Sequence, residues 1–295
     1  MQLKRMAAVL AASVIVLAAA PVASGSMPQA AERSAAAAVA VETSPADRIG
    51  SFQVKCRWSH SAPDDPIVAP GQRGAAHQHE FFGNVSTNAH STTSSLSGAG
   101  TSCVRPEDKA AYWAPSVYND GQRVRPNIMV SYYRTGALRD PSVIRAFPRG
   151  LRMIAGDGQA TSPQPTVVTH WSCASDGPTG TSRPPSTCGG EPLRLRIAFP
   201  NCWDGQRLDS PDHKSHMAYS YRHDRACPRS HPVALPTLKL GFRYTIPGPL
   251  NGVTLASGGQ LTGHADFWNA WEMNALRDLV ERCLHGALRC VGPDL

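Results

Sequence analysis

The sequence predicts a mainly β protein, built as one sandwich or jelly-roll-like domain with long loops, disulfides and one C-terminal helix. Gly and Pro together contribute 50 of the 295 residues, which favours short elements joined by structured turns. Short segments with a strand pattern recur along the chain, whereas only one segment has a long helical period. Charged residues make up 17% of the chain, too few for a coiled coil or a helical protein stabilised by ion pairs.

Eight to ten short segments have the pattern of β-strands. Residues 50–58 alternate apolar and polar side chains, and residues 77–82 resume an extended pattern. A turn at residues 119–121 (NDG) leads into residues 128–133 and predicts a hairpin. The other strand candidates are residues 112–113, 117–118, 151–154, 166–171, 193–199, 238–244 and 253–255.

The one long helical pattern covers residues 266–288. Phe267, Trp271 and Leu276 return at roughly helical spacing, and the pattern continues through Leu284. Asp266 is placed to cap the start of this helix.

The N-terminal residues predict export. Residues 1–24 have the form of a signal peptide: Lys4 and Arg5 precede an apolar run, and small residues follow before Gly25. Residues 25–48 are rich in Ala, Ser and Pro and predict a disordered linker. We therefore expect a secreted, extracellular protein with a domain at residues 49–295 and no membrane span after cleavage of the signal.

The cysteine pattern agrees with export. All eight cysteines follow the leader, and an even number in an exported chain predicts disulfides. No Cys-x-x-Cys occurs, which weakens zinc-ribbon and thioredoxin-type interpretations. Pairing of sequential neighbours closes the shortest loops and predicts the bridges 56–103, 173–188, 202–227 and 283–290.

The basic residues do not predict a nucleic-acid partner. Loss of Lys4 and Arg5 with the leader lowers the formal net charge from +7 to +5. The remaining Lys and Arg are scattered in the sequence, whereas a nucleic-acid footprint needs a basic stripe. Acidic wall polymers remain an alternative partner, beside a simple solvated surface.

Two segments concentrate side chains that are able to bind a ligand or take part in catalysis. On a strand, His77 and His79 share a face and could offer two imidazoles to one metal, or could be hydrogen-bonded packing residues. Residues 199–219 hold three carboxylates, two histidines and three aromatic side chains (Phe, Trp and Tyr) among turn formers. Trp203 and Tyr219 could stack on a sugar ring, and the carboxylates could equally bond backbone amides in Asx turns.

Five strings of this sequence resemble the DUF1996 family, a secreted domain of unknown function. They are residues 76–83 (AHQHEFFG), 108–115 (DKAAYWAP), 199–219, 227–233 (CPRSHPV) and 263–267 (GHADF). The resemblance covers residues 52–283 and implies secretion, one domain and an association with cell-surface or wall glycans. It implies no mechanism. The positions in the family's strings are His77, His79, Lys109, Tyr112, Trp113, Asp204, Asp209, Asp212, His213, His216, His231, His264 and Asp266.

Three functions compete at this point. The first is binding or processing of extracellular polysaccharide at a His/Asp-rich cleft. Here His79, Asp212, His216 and Tyr219 are the catalytic candidates. The expected ligand-binding residues are Lys109, Tyr112, Trp113, Trp203, Asp204, Arg207, Asp209, His231, His264 and Asp266.

In a lyase, Tyr219 or His216 would remove the proton next to a uronate carboxylate that a cationic side chain neutralises. In a hydrolase, two of the three aspartates would form the acid and base pair. The second function is a metal-binding module with His77, His79 and His213 as ligands of a divalent metal; apart from this alternative, no cofactor is expected. The third is a non-catalytic, disulfide-stapled surface protein. Whether the chain is an enzyme stays open.

Overall fold

Two large antiparallel sheets organise the chain, and the computed structural model describes residues 49–136, 138–222 and 225–290. These residues lie in one compact unit, Thr43–Leu295. The signal peptide and linker expected at residues 1–48 lie outside the described residues. Within the described ranges, no helix has the length and apolar content that a membrane span requires.

The six-stranded sheet is antiparallel except at one edge, where its first two strands are parallel. On β14 (Thr237–Tyr244), the buried side chains of Leu238, Leu240 and Phe242 alternate with Lys239 and Arg243, which point outward. From edge to edge the strands are β17 (Arg289–Cys290), β1 (Ser51–Cys56), β7 (Ile128–Arg134), β14 (Thr237–Tyr244), β10 (Leu193–Ala198) and β9 (Thr169–Cys173).

The five-stranded sheet is antiparallel throughout. Its order is β2 (Trp58–Ala62), β3 (His79–Gly83), β4 (Ala111–Pro115), β16 (His264–Trp268) and β8 (Arg152–Gly156). Two three-stranded sheets complete the β structure. Their orders are β12 (Met217–Ala218), β11 (Cys202–Trp203), β13 (Val233–Ala234), and β15 (Val253–Leu255), β5 (Val117–Asn119), β6 (Gln122–Val124).

The main core lies between the two large sheets. Phe82 of β3 packs against Phe242 of β14, with ring centroids 5.4 Å apart. The Tyr112 hydroxyl of β4 lies 2.6 Å from the Tyr133 hydroxyl of β7. The mainly β, sandwich-like fold is therefore confirmed.

A second, smaller apolar cluster covers the opposite face of the five-stranded sheet. It contains Phe81, Trp113 and Trp268 from the sheet, Leu96 from helix α1 (Thr93–Gly98) and Ile67 from the loop after β2. Helix α1 and the 63–76 loop therefore shield this outer face from solvent.

All four expected disulfides are present: Cys56–Cys103, Cys173–Cys188, Cys202–Cys227 and Cys283–Cys290. Most strand predictions are confirmed within a few residues, including β15 at Val253–Leu255.

The hairpin prediction needs correction. The turn joins β5 to β6, because Asp120 (φ 50°) and Gly121 (φ 76°) both adopt the left-handed conformation of a tight two-residue turn. Residues 128–134 instead form β7, between β1 and β14.

The C-terminal helix is shorter than predicted, and Asp266 does not cap it. Residues 264–268 form β16, and the helix α2 (Met273–Leu279) begins after Glu272 and continues as a π-helical turn at Val280–His285. Pairing with β4 and β8 on both sides holds Asp266 in extended backbone.

Candidate metal centre

Three histidines and two aspartates gather on the outer face of the five-stranded sheet. His77, His79 and His264 form one group of potential metal ligands, and Asp65, His79 and Asp266 form another. Within each group the ligand atoms lie within 4.8 Å of one another. His79 belongs to both groups, so the five side chains form one continuous site, called the His/Asp cluster below.

Strand geometry places His79, His264 and Asp266 together. β3 and β16 both run antiparallel to β4, so they run in the same direction and begin at the same end of the sheet. Side chains two apart share a face, so His264 and Asp266 point away from the core that receives Ala265 and Phe267. The rings of His79 and His264 approach across the end of β4, with centroids 5.9 Å apart.

The 63–76 loop and its continuation supply the other members. His77 precedes β3, and its Nε2 lies 3.2 Å from Nε2 of His264. Asp65 lies in the loop, where its Oδ1 accepts hydrogen bonds from the amides of Ile67 and Val68. Asp64 fixes the same loop, because its two carboxylate oxygens accept the amides of Gly74 and Ala89.

Backbone carbonyls fix the tautomers of two histidines. Nδ1 of His79 lies 3.0 Å from the carbonyl oxygen of Asp64, and Nδ1 of His264 lies 2.9 Å from that of Thr262. A carbonyl oxygen only accepts, so each Nδ1 carries the proton and each Nε2 keeps a lone pair for another partner. Histidine ligands of metals are usually held in this way.

Several atoms of the cluster that could ligate a metal are buried without a hydrogen-bond partner. Nε2 of His79 and both carboxylate oxygens of Asp266 have no hydrogen bond among the described residues. His79 is fully buried and Asp266 is 1% exposed. Unpartnered buried polar groups cost about 1–3 kcal/mol each, and more when charged. A metal ion bound between these atoms would remove that cost.

The surroundings of the cluster disfavour the protonated, positively charged form of its imidazoles and the ionised form of the Asp266 carboxyl. Burial lowers the pKa of His264 to about 4, and burial together with the neighbouring histidines lowers the pKa of His79 well below its ordinary value. Burial, followed by the nearby Asp65, raises the pKa of Asp266 well above its usual range. A bound divalent cation would instead favour the ionised form of Asp266, because it would balance the two negative charges of Asp65 and Asp266.

The spacing also fits an ion. Two ligand nitrogens of a tetrahedral zinc ion, each about 2.0–2.1 Å from the metal, lie about 3.3 Å apart. The two facing Nε2 atoms of His77 and His264 are at 3.2 Å. Imidazole with carboxylate suits Zn²⁺, Fe²⁺, Ni²⁺ or Cu²⁺ better than Ca²⁺ or Mg²⁺. A third group of neighbouring ligand-type residues contains Cys56 and Cys103, whose sulfurs are already joined in a disulfide.

A glycine next to the cluster is required by the packing. A Cβ at Gly158 would lie 3.0 Å from Cε1 of the His264 ring. The backbone after β8 therefore closes directly over this imidazole, and Lys214 donates a hydrogen bond to the carbonyl of Gly156 at the same edge.

The predicted site residues of the 199–219 segment use their polar atoms in hydrogen bonds and ion pairs with neighbouring residues. Oδ1 of Asp204 accepts the amides of Gln206 and Arg207, and Oδ1 of Asp212 accepts those of Lys214 and Ser215. These contacts are the Asx-type turns that the sequence offered as an alternative to catalytic carboxylates. Asp209 accepts hydrogen bonds from Arg152 and His213, and Asp204 pairs with Arg207.

His216 and His213 lie in this loop network. His216 is fully buried, with Nδ1 2.8 Å from the Ser210 hydroxyl and Nε2 2.7 Å from the carbonyl of Arg152. His213, predicted as a metal ligand, belongs to none of the three ligand groups found among the described residues. His264 takes its place beside His77 and His79.

The remaining predicted residues are dispersed. Tyr112 and Trp113 are fully buried, and Lys109 pairs with Glu272 at 3.2 Å. Trp203 donates a hydrogen bond to the carbonyl of Arg207 in its own loop, and Nε2 of His231 donates to the carbonyl of Ser215. The Tyr219 hydroxyl donates to the carbonyl of Ala198, beside the six-stranded sheet.

Asp65 is the member of the cluster that the sequence analysis missed. His264 and Asp266 were predicted as ligand-binding residues but not as metal ligands. The detectable signal is the repetition of one pattern, because His77-x-His79 and His264-x-Asp266 each place two donors on one side of an extended segment.

The fold and the cluster define a disulfide-crosslinked β-sandwich protein with a buried site of three imidazoles and two carboxylates. The sequence pattern of DUF1996, a domain of unknown function, matches residues 65–271. This match covers well over half of the chain and includes all five cluster residues. The chain therefore belongs to the DUF1996 family. No curated protein and no solved structure matches it.

Proposed function

We propose that this protein binds one divalent transition-metal ion through His77, His79 and His264, with Asp65 and Asp266 supplying the balancing carboxylates. The observation that carries the proposal is that Nε2 of His79 and both carboxylate oxygens of Asp266 are buried without hydrogen-bond partners. The sequence alone ranks metal binding third, after glycan binding or processing and after the structural surface protein.

The centre is proposed to be reactive rather than only structural. Structural zinc sites are closed by four protein ligands, usually with cysteine, whereas reactive sites keep a position for water or substrate. All eight cysteines of this chain are in disulfides, and His77 is only partly buried. A bound ion would act there as a Lewis acid or would lower the pKa of a bound water.

The proposed substrate is an extracellular or cell-wall glycan. Support comes from the four disulfides, which fit an oxidising compartment, and from the family resemblance to secreted, wall-associated proteins. Secretion itself is proposed from the signal-like residues 1–24.

Calorimetric titration of the chelator-treated protein with Zn²⁺ tests the metal proposal. We expect one equivalent to bind, and His77→Ala and His264→Ala to weaken binding by more than about tenfold, since each removes a ligand. His213→Ala is the matched control and should leave the affinity unchanged. Binding below about a tenth of an equivalent, or equal loss in the control, would contradict the proposal.

A separate assay tests turnover. The zinc-loaded protein, the metal-free protein and His77→Ala are incubated with a panel of neutral and uronate-containing wall glycans. New reducing ends or unsaturated products only with the loaded wild type would support a metal-dependent enzyme. Metal binding without products across the panel would favour the non-catalytic binding module.

A further inference from the structure

The outer face of the six-stranded sheet, on the other side of the sandwich from the His/Asp cluster, carries a concentrated positive charge. Its six strands contain seven Lys or Arg residues and no Asp or Glu. Alternation along the strands turns the cations outward, because the intervening residues fill the main core. On the four central strands the cations are Lys55, Arg134, Lys239, Arg243, Arg194 and Arg196.

These cations lack anionic partners in the described part of the chain. None of the six forms an ion pair with a carboxylate of those residues. Arg243 lies directly opposite Arg194 in the sheet register, a like-charge pair that destabilises a sheet. Two acids close to Arg194, Asp176 and Glu191, lie beyond the strand ends and accept the amides of Cys173 and Ser175.

Two buried polar groups on this face point to an absent ligand. The Nε of Arg134, which lines all three cavities described below, and the Nε of Arg194, a side chain that is 7% exposed, are buried donors without a partner among the described residues. Burial and then the neighbouring cations lower the pKa of Arg194, Arg196 and Lys239. A bound anion would relieve both the unpaired donors and the mutual repulsion.

The shape of the face fits an extended ligand. Three adjoining cavities of about 230, 320 and 240 Å³ all include Arg134. Together they extend from Arg289 at the β17 edge to His170 on β9.

We infer that this face, the basic groove, binds an acidic polysaccharide whose carboxylate or sulfate groups pair with Arg134, Lys239 and Arg196. Charge complementarity calls for a polyanion, and the three adjoining cavities call for an extended chain rather than a single ion. Polar neutral groups between the cations, such as Gln53 and Thr237, suit sugar hydroxyls, and Tyr219 and Tyr221 pack together at one end. This site is independent of the metal centre.

The test uses the full chain and polygalacturonate, with dextran as the neutral polymer, in titrations at rising NaCl. We expect binding to polygalacturonate alone, and a fall in affinity with salt. The variant Arg134→Gln/Arg196→Gln/Lys239→Gln should bind about tenfold more weakly with a shallower salt dependence. Arg145→Gln/Arg229→Gln/Arg277→Gln removes the same charge elsewhere and should bind as wild type does.

Unchanged affinity in the groove variant, or an equal loss in the control, would overturn the inference. So would tighter binding to single-stranded DNA than to polygalacturonate. Lys239→Gln alone gives the same test if the triple variant does not fold, with a smaller expected loss. Polygalacturonate binding should persist in His77→Ala, so failure of the metal proposal and failure of this one are distinguishable.

Discussion

At the scale of single residues, Asp266 best illustrates how the cluster departs from ordinary packing. Its carboxylate is buried beside Trp113 in the middle of a sheet, and both oxygens lack partners among the described residues. A side chain of this kind lowers the stability of the metal-free protein, because its pKa is raised far above that of the unfolded chain. The same carboxylate would stabilise a cation.

The variant Asp266→Asn should therefore have opposite effects in the two states. Without metal, we expect the melting temperature to stay equal or rise, because the amide carries no charge to bury. With Zn²⁺, the stabilisation by metal should shrink, because the affinity falls. Thermal melts with and without Zn²⁺ measure both effects, and Asp157→Asn, an exposed neighbour, is the control. A lower melting temperature in the metal-free variant with an unchanged zinc shift would contradict this role.

Asp108 makes a second residue-scale prediction, about pH. Burial raises its pKa to about 8, while its carboxylate lies 2.8 Å from the Tyr112 hydroxyl. The folded protein thus holds a proton that the unfolded chain releases near pH 4. The contribution of Asp108 to stability is full below about pH 4 and is lost as the pH rises toward 8.

Denaturant unfolding at several pH values checks this. The difference in stability between wild type and Asp108→Asn should shrink, or change sign in favour of the variant, from pH 4 to pH 8. A pH-independent difference would show that the carboxyl does not titrate in this range.

At the scale of elements, two strands running in the same direction on either side of β4 create the site. Each contributes its first residue, His79 or His264, and the loop before β3 folds back with His77 and Asp65. The loop is anchored by Asp64, so its two adjacent aspartates have separate roles: Asp64 holds the backbone, and Asp65 faces the cluster.

The disulfides give a prediction at this scale. The chain-entropy estimate for the 47-residue separation of Cys56 and Cys103 is about 4 kcal/mol, against about 2 kcal/mol for the 7-residue separation of Cys283 and Cys290. Cys56→Ala/Cys103→Ala should therefore lower the free energy of unfolding more than Cys283→Ala/Cys290→Ala. Urea unfolding of both double variants measures the order, and a reversed order would show that local packing dominates.

Much of the element pattern could be predicted from the sequence, because strands and short disulfide loops depend on local signals. The start of the C-terminal helix could not. Residues 264–268 fit a helical period through Phe267, yet their alternation suits a strand, and only pairing with two neighbouring strands decides. Asp65 and His264 stand 199 positions apart in the sequence, so their proximity depends on the sheet order.

The role of the 199–219 loop was harder to predict, because its polar groups are paired within the fold. Its density of ionisable side chains indicated a cleft, but Asx turns and ion pairs account for its aspartates. The composition of a segment cannot distinguish these outcomes, since both need carboxylates among turn formers.

At the scale of the whole molecule, the two large sheets share one core and present two chemically different outer faces. One face carries the His/Asp cluster under a covering loop, and the other carries the basic groove. The cations are scattered in the sequence but gather in the fold, because strands distant along the chain lie side by side. Anchoring on an acidic polymer and chemistry at a metal ion could thus proceed on separate surfaces.

X-ray absorption spectroscopy of the zinc-loaded protein reports the ligands of the bound ion and therefore tests whether the His/Asp cluster holds it. We expect a four- to five-coordinate ion with imidazole nitrogens and carboxylate oxygens at about 2.0–2.2 Å and no sulfur. The imidazole signal should weaken in His264→Ala, which removes one of the three imidazoles, and should be retained in full in His213→Ala. A spectrum of hydrated zinc, or one that His264→Ala leaves unchanged, would contradict the claim that the His/Asp cluster is a metal centre.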